Sequence, residues 1–268
     1  IKPYLGNNLI RNITYQDCER WLIGRGKELK ASAYRQERLL MIGVLKAAER
    51  DGIILDNPAT QLPNKKLPKI VIQVPTHDQF RSLIKQMRQA DSRGIHGAYL
   101  VELLAYSGMR LNEATNLLWS EIDLDRDCFT VTGGEYGTKN HDIRTVPLFP
   151  AMRELLDRIR SDQPETNSDY VTPIKGARTL MASAAKKADI PKFTHHSMRH
   201  YFCSNAIEAG IDFKVIAGWL GHKDGGILVA KTYGHLRDTH SFEMAKRMTN
   251  NAYDPEAPNL VQLPEKTA

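Results

Sequence analysis

One segment dictates that this chain is built in two parts. From Leu62 to Pro75 it reads Leu-Pro-Asn-Lys-Lys-Leu-Pro-Lys-Ile-Val-Ile-Gln-Val-Pro, with three prolines, three lysines and little periodicity. Each proline fixes φ and removes a backbone donor, so neither a helix nor a central strand runs through this stretch. Residues 63–75 therefore read as an extended basic linker, or more plainly as a surface loop. On either side lie residues 1–62 and residues 76–250, each long enough for a unit with its own core.

The first unit reads as all-α. The stretch from Ala33 to Arg50 carries Leu40, Val44 and Ala47 on one helical face, stops at Asp51-Gly52 and is followed by the breaker Asn57-Pro58. The second unit opens with a capping-box pattern, Thr76 and Gln79, ahead of Phe80, Leu83, Ile84 and Met87. Leu100, Leu103 and Leu104 mark a second helix that Gly108 ends. From Cys128 to Leu148 the character changes. Phe129–Val131 and Ile143–Val146 are β-rich around Gly133-Gly134, Gly137 and Asn140-His-Asp142, which predicts a small antiparallel sheet. Helices follow around 152–159, 177–188, 196–209 and 212–220. The last has an Asp212 cap, buries Val215, Ile216 and Trp219, and stops at Gly221. After about residue 250 the chain is rich in Pro, Asn and Glu and reads as a disordered tail.

The net charge of +6 favours polyanionic partners, nucleic acid first among them. Cys18, Cys128 and Cys203 are far apart and odd in number, which suits a reducing cytoplasm better than a disulfide framework or a zinc site. No apolar run approaches the roughly 20 residues of a membrane span.

Five short motifs in the second unit can carry chemistry, and each alone has an ordinary reading. Ser107-Gly-Met-Arg110-Leu-Asn-Glu113 places an arginine at a helix junction, with a carboxylate three residues on that can hold it; alone, this is a surface ion pair. Gly137-Thr-Lys139-Asn-His-Asp-Ile-Arg144-Thr-Val-Pro147 puts Lys139 at a hairpin tip, where most lysines are merely solvated. His195-His196-Ser-Met-Arg199-His200 sets His196 and Arg199 on one helix face near an N-terminus, a geometry suited to an anion. His196 and His200, four apart, also allow a metal reading, but the glutamate of zinc helices is absent. Leu220-Gly-His222 places a histidine just past a helix end, and Lys231-Thr-Tyr233-Gly-His235 holds a tyrosine that by itself is packing.

In this order, Arg, Lys, His-x-x-Arg, His and Tyr, the motifs of residues 76–250 resemble the tyrosine recombinase (phage integrase) family. The resemblance extends more loosely to the helical unit before them. It implies a mainly α fold with a small antiparallel β-sheet in the catalytic domain, a small all-α core-DNA-binding domain in front, and a C-shaped clamp on DNA. The family's active-site residues map onto Arg110, Lys139, His196, Arg199, His222 and Tyr233, and Glu113 matches an acidic position that supports the first arginine. Two departures stand out. His195 sits where relatives often have proline, and the stretch from His222 to Tyr233, with Gly225-Gly226, is slightly longer than in some relatives.

The resemblance implies a site-specific recombinase that cuts and rejoins double-stranded DNA through a 3′-phosphotyrosine at Tyr233, with a free 5′-hydroxyl as the other product. Two arginines neutralise the phosphate, so no metal, ATP or nicotinamide cofactor is expected. Integration or excision of a phage or other mobile element follows, carried out by a homotetramer on two attachment-type DNA sites in the bacterial nucleoid, with directionality or DNA-bending factors as further partners. Lys65, Lys66, Lys69 and Arg144 are candidate DNA contacts. Residues 238–249, with Phe242, Ala245 and Met248, form a candidate docking helix for a neighbouring subunit, or pack on their own domain. Three other readings stay open: a catalytically silent DNA-binding regulator on the same fold, a metal-dependent nuclease and a DNA-relaxing topoisomerase.

Overall fold

The computed structural model describes residues 1–67, 73–90, 94–133, 143–162 and 168–233, of which the side chains of Leu228, Lys231 and Tyr233 are excepted. The chain divides into two compact units, Ile1–Val71 and Ile72–Ala268.

The first unit contains α1 (Lys2–Leu5), α2 (Tyr15–Glu28) and α3 (Ala31–Arg50). A reciprocal capping box starts α2: the Asp17 N–H donates to Thr14 Oγ1 and the Thr14 N–H donates to Asp17 Oδ2. Arg25 of α2 forks onto Glu37 of α3 at 2.8 and 2.7 Å, which fixes the helices against each other. Cys18, Trp21, Leu22, Tyr34, Met41, Leu45 and Leu62 form the core. The buried stripe of α3 is thus Tyr34, Met41, Leu45 and Ala48, not the expected face of Leu40 and Val44, which are 57% and 44% exposed. Apolar residues lie on both sides of this helix, so period alone does not choose between the faces.

The start of the expected linker belongs to this unit as well. Tyr34 Oη donates to Pro63 O, Arg38 Nε to Leu62 O at 2.8 Å, and Lys65 Nζ to Gly26 O at 2.8 Å while lying 4.5 Å above the Tyr34 ring. Two donors from α3, and one from the segment to a carbonyl of α2, therefore pin residues 62–65 down.

The second unit comprises α4 (His77–Arg88), α5 (Gly94–Ser107), α6 (Leu111–Thr115), β1 (Ile122–Asp123), β2 (Cys128–Val131), β3 (Arg144–Pro147), α7 (Pro150–Asp162), α8 (Arg178–Lys187), α9 (His195–Glu208), α10 (Phe213–Leu220) and α11 (Ile227–Tyr233). The Thr76–Gln79 capping box forms as expected. Eleven of the fourteen residues of α5 are buried, because α4, α6, α7, α8 and α9 all pack on it. Its one buried charge, Glu102, accepts from Arg88 of α4 and Arg158 of α7 at 2.6 and 3.0 Å. The sheet is antiparallel in the order β1-β2-β3, with Phe129 opposite Val146 and Val131 opposite Arg144. β1 is a third strand that the sequence pattern does not announce, since two residues are too few to show alternation.

A smaller cluster, Phe202, Cys203, Ile207, Ile216, Ala217, Leu220 and Val229, joins α9, α10 and α11. Asp212 caps α10 through Lys214 N, and Gly221 ends it in the left-handed conformation at φ 68°. Val215, expected in the core, is 44% exposed, while Ile216 is fully buried. The tail after residue 250 and the candidate docking helix 238–249 lie outside the described residues. Among the described residues no helix is long and apolar enough to cross a membrane.

Candidate active site

The chain makes its first sharp turn toward the site at Gly108. Its φ is +66°, and a Cβ there would stand 2.5 Å from Phe202 Cδ1 and 2.9 Å from Leu220 Cδ2. Glycine is thus required twice, for the left-handed backbone and for the close approach of α9 and α10. Gly108→Ala should destabilise the protein by about 2–4 kcal/mol, from strain plus overpacking. Urea denaturation measures this, and an unchanged midpoint contradicts the packing described.

Past that turn, Arg110 sits at the N-cap of α6 and Glu113 at its third position. Glu113 is a buried carboxylate that collects four donors. Oε2 accepts from Arg110 N at 2.9 Å and Arg144 Nη2 at 2.7 Å; Oε1 accepts from Arg110 Nη1 at 2.9 Å and Arg144 Nη1 at 3.3 Å. Burial pushes its carboxyl up, but the hydrogen bonds and charge of Arg144, then those of Arg110, outweigh burial and hold it below the usual carboxylate range.

Arg199, from the middle of α9, is 5% exposed. Its Nη1 donates to Gly108 O at 2.6 Å. Its Nη2 donates to Leu220 O at 2.8 Å and lies 3.0 Å from His222 Nε2. The two carbonyls are the freed ends of α5 and α10, so this guanidinium ties together the segments that bear Arg110 and His222. These bonds use three of the five N–H groups of a guanidinium. Burial first, and then the charge of Arg110, pull the Arg199 pKa down to about 10, so it stays a cation near neutrality. Three guanidiniums, Arg110, Arg144 and Arg199, are gathered around one carboxylate, an arrangement that attracts an anion.

Because Arg199 only donates, His222 accepts at Nε2 and carries its proton on Nδ1, a buried nitrogen with no hydrogen-bond partner. Burial and then the nearby arginines lower its pKa. His196 is exposed on α9, its ring edge-on to that of His200 at 4.5 Å. Desolvation, then Arg199 and Arg110, lower its pKa; His200 is brought to about 4 by burial, His196 and Arg199. All three imidazoles are thus neutral at pH 7. Their protons are held more tightly by the unfolded chain than by the folded one, so acid costs stability. The melting temperature should fall as the pH drops from about 6.5, the unfolded value, toward about 4, the value for His200. A flat profile over that window contradicts neutral packing of the histidines.

Arg144, a candidate DNA contact in the sequence, is turned into the protein. It shares the face of β3 that carries buried Val146, two residues on, so strand period turns it inward. Its side chain is 11% exposed, and all three guanidinium nitrogens are bonded, two to Glu113 and Nε to Trp219 O at 2.8 Å. Lys65, as described, is bonded within the first unit, whereas Lys66 is exposed. Lys69 and Lys139 lie outside the described residues. Tyr233 is the last residue of α11; its side chain lies outside them too. His195, in a position where relatives often have proline, accepts the Ala177 N–H at Nε2, 2.9 Å away, and so holds the start of α8 to the start of α9. No group of three or more His, Cys, Asp or Glu among the described residues is arranged to hold a metal.

The inward role of Arg144 escaped sequence reasoning, although strand alternation pointed to it; His200, weighed above only as a metal partner of His196, packs beside it as an imidazole of lowered pKa.

The family model for the phage integrase family matches residues 73–240. A tyrosine recombinase XerD of Neisseria meningitidis serogroup A is 30% identical over 201 residues, covering 70% of this chain and 67% of the relative. A tyrosine recombinase XerA of Pyrococcus furiosus is 28% identical over 243 residues, 87% of this chain and 80% of the relative. Among solved structures, the Tn1549 transposon integrase in complex with circular intermediate DNA superposes with a TM-score of 0.69 at 19% identity, covering 90% of this chain and 87% of that one. A lambda integrase tetramer bound to a Holliday junction gives 0.66 at 18% identity, covering 81% and 66%. The chain belongs to the phage integrase family of tyrosine recombinases, enzymes that break and rejoin DNA strands in site-specific recombination.

Proposed function

We propose that this chain recombines attachment-type sites in duplex DNA, with Tyr233 as the covalent nucleophile and a phosphate held by Arg110 and Arg199. The observation that carries this reading is the convergence of Arg110, Arg199 and His222 on one spot, tied by Arg199 to the carbonyls of Gly108 and Leu220. The Tyr233 oxygen attacks phosphorus, the bond from phosphorus to the 5′-oxygen breaks, and a 3′-phosphotyrosine forms. A phenol with a pKa near 10 needs an acceptor for its proton, and neutral His196 supplies one. Lys139 protonates the departing 5′-oxygen. The two arginines donate to the nonbridging oxygens, where charge gathers in the transition state, each lowering the barrier by about 3–4 kcal/mol. His222, bonded to Arg199 in the free protein, adds a donor when the phosphate takes its place on that guanidinium and the imidazole proton moves from Nδ1 to Nε2. The covalent link stores the energy of the broken bond, so a 5′-hydroxyl of another strand can attack and rejoin without ATP.

We further read the working form as a homotetramer on two DNA sites, moving a phage or other mobile element in or out of a chromosome, in line with the transposon and phage integrases of the same fold. Each unit then contacts duplex DNA, with exposed Lys66, and Lys69 three residues on, meeting phosphates.

Covalent capture tests this. The chain is incubated with a pool of nicked duplexes of randomised core sequence, in excess chelator, and denatured. An adduct on an enriched sequence supports the reading. Loss of all cleavage with chelator points to a metal-dependent nuclease, binding without adduct to a silent regulator, and relaxation of supercoils without strand exchange to a topoisomerase.

A further inference from the structure

We propose that Arg144 is a positioning residue for DNA cleavage: it holds Glu113, and through it Arg110, while the same guanidinium holds the end of α10 that presents His222. This role rests on the function proposed above.

The geometry is that of a strut between three elements. From β3, Arg144 sends two nitrogens to the two oxygens of Glu113 in α6 and its Nε to the Trp219 carbonyl in the last turn of α10. Glu113 in turn spends its other two bonds on the backbone and side chain of Arg110. Gly221, next to His222, lies so close that a Cβ there would stand 3.0 Å from Arg144 Nη1, so the turn before His222 is moulded on this guanidinium. A planar fork of fixed shape suits such a three-way span; a lysine ammonium, a single point on a flexible stem, does not. With its nitrogens engaged and its side chain nearly buried, Arg144 is set to orient the phosphate-binding groups and not to touch phosphate itself. Its hydrogen bond and charge come first among the influences that lower the Glu113 pKa against burial, so without them the carboxyl pKa moves up and Arg110 is held less firmly once it protonates.

The test uses the full chain and a nicked duplex enriched by covalent capture with the wild type. Single-turnover adduct formation, DNA affinity at several salt concentrations and thermal stability are measured for Arg144→Gln, Arg144→Lys, Glu113→Gln and the double Gln variant. Arg144→Gln should form adduct about 100-fold more slowly, the scale of a misplaced reacting group. Its salt slope should equal that of the wild type, since no phosphate contact is lost; a direct DNA contact lowers the slope by about 0.9. The rate of Arg144→Gln should also fall on acidification at a higher pH than that of the wild type, as Glu113 protonates. The double variant should be no slower than the slower single, because both act along one path. Arg144→Lys should fold and remain slowed, which covers the case in which Arg144→Gln fails to fold. A reduced salt slope, additive losses in the double variant, or a normal rate in Arg144→Lys overturns the role. These outcomes are separate from failure of the parent reading, whose sign is the absence of any adduct from the wild type; that result overturns both.

Discussion

Tyr233→Phe should form no covalent adduct with DNA while binding it almost as tightly as the wild type. The substitution removes one hydroxyl and no positive charge. Affinity for duplex DNA comes mostly from cations meeting phosphates, so it should survive, together with its salt dependence. The chemistry should not survive, because a phenyl ring has no oxygen to attack phosphorus and the proposed phosphate cradle of Arg110, Arg199 and His222 contains no other nucleophile of that kind. Denaturing gels report the adduct and filter binding reports the affinity. Adduct at normal yield would remove Tyr233 from its assigned role. Loss of binding in step with loss of adduct would instead mean that α11 had failed to pack.

The second large effect separates the proposed leaving-group acid from the proposed phosphate-binding arginines. Lys139→Ala should be badly slowed on ordinary DNA and largely restored when the bridging 5′-oxygen is replaced by sulfur. A thiol has a pKa of roughly 8.5, far below an alcohol, so it departs without being protonated. Arg199→Ala should be slowed by about 100- to 1,000-fold on both substrates, since its donors serve the nonbridging oxygens that the sulfur leaves untouched. It should also be less stable, because the carbonyls of Gly108 and Leu220 lose a buried donor. Equal slowness of Lys139→Ala on the two substrates rules it out as the acid. Arg144, the other cation of the β2–β3 segment, is bonded inward to Glu113 and Trp219 O, which leaves His222 as the next group to test.

Much of the fold was legible because its signals are local. The Thr76–Gln79 box, the glycines at 108 and 221 and the Asp212 cap each depend on a few neighbouring residues, and each stands where the pattern put it. Choices between two plausible faces were not local. Leu40 and Val44 lost to Met41 and Leu45, and Val215, expected in the core together with Ile216, is left outside while Ile216 is buried, because the winning face is set by what packs opposite. The site divides in the same way. The order of Arg110, His196, Arg199 and His222 was readable from motifs. What holds them was not, since Arg199 reaches back 91 residues to Gly108 and Arg144 reaches 75 forward to Trp219. Strand alternation already placed Arg144 on the side of Val146, and that was the one available sign that it faces inward.

The central claim is that this chain holds DNA by a phosphotyrosine at Tyr233. The most direct measurement is peptide mapping of the trapped adduct by mass spectrometry, after nuclease digestion to the last nucleotide. The account predicts a single modified peptide, with the nucleotide joined through its 3′-phosphate to Tyr233 and a free 5′-hydroxyl on the released strand. Modification of a different residue, or a 5′-phosphate on the released strand, would contradict it.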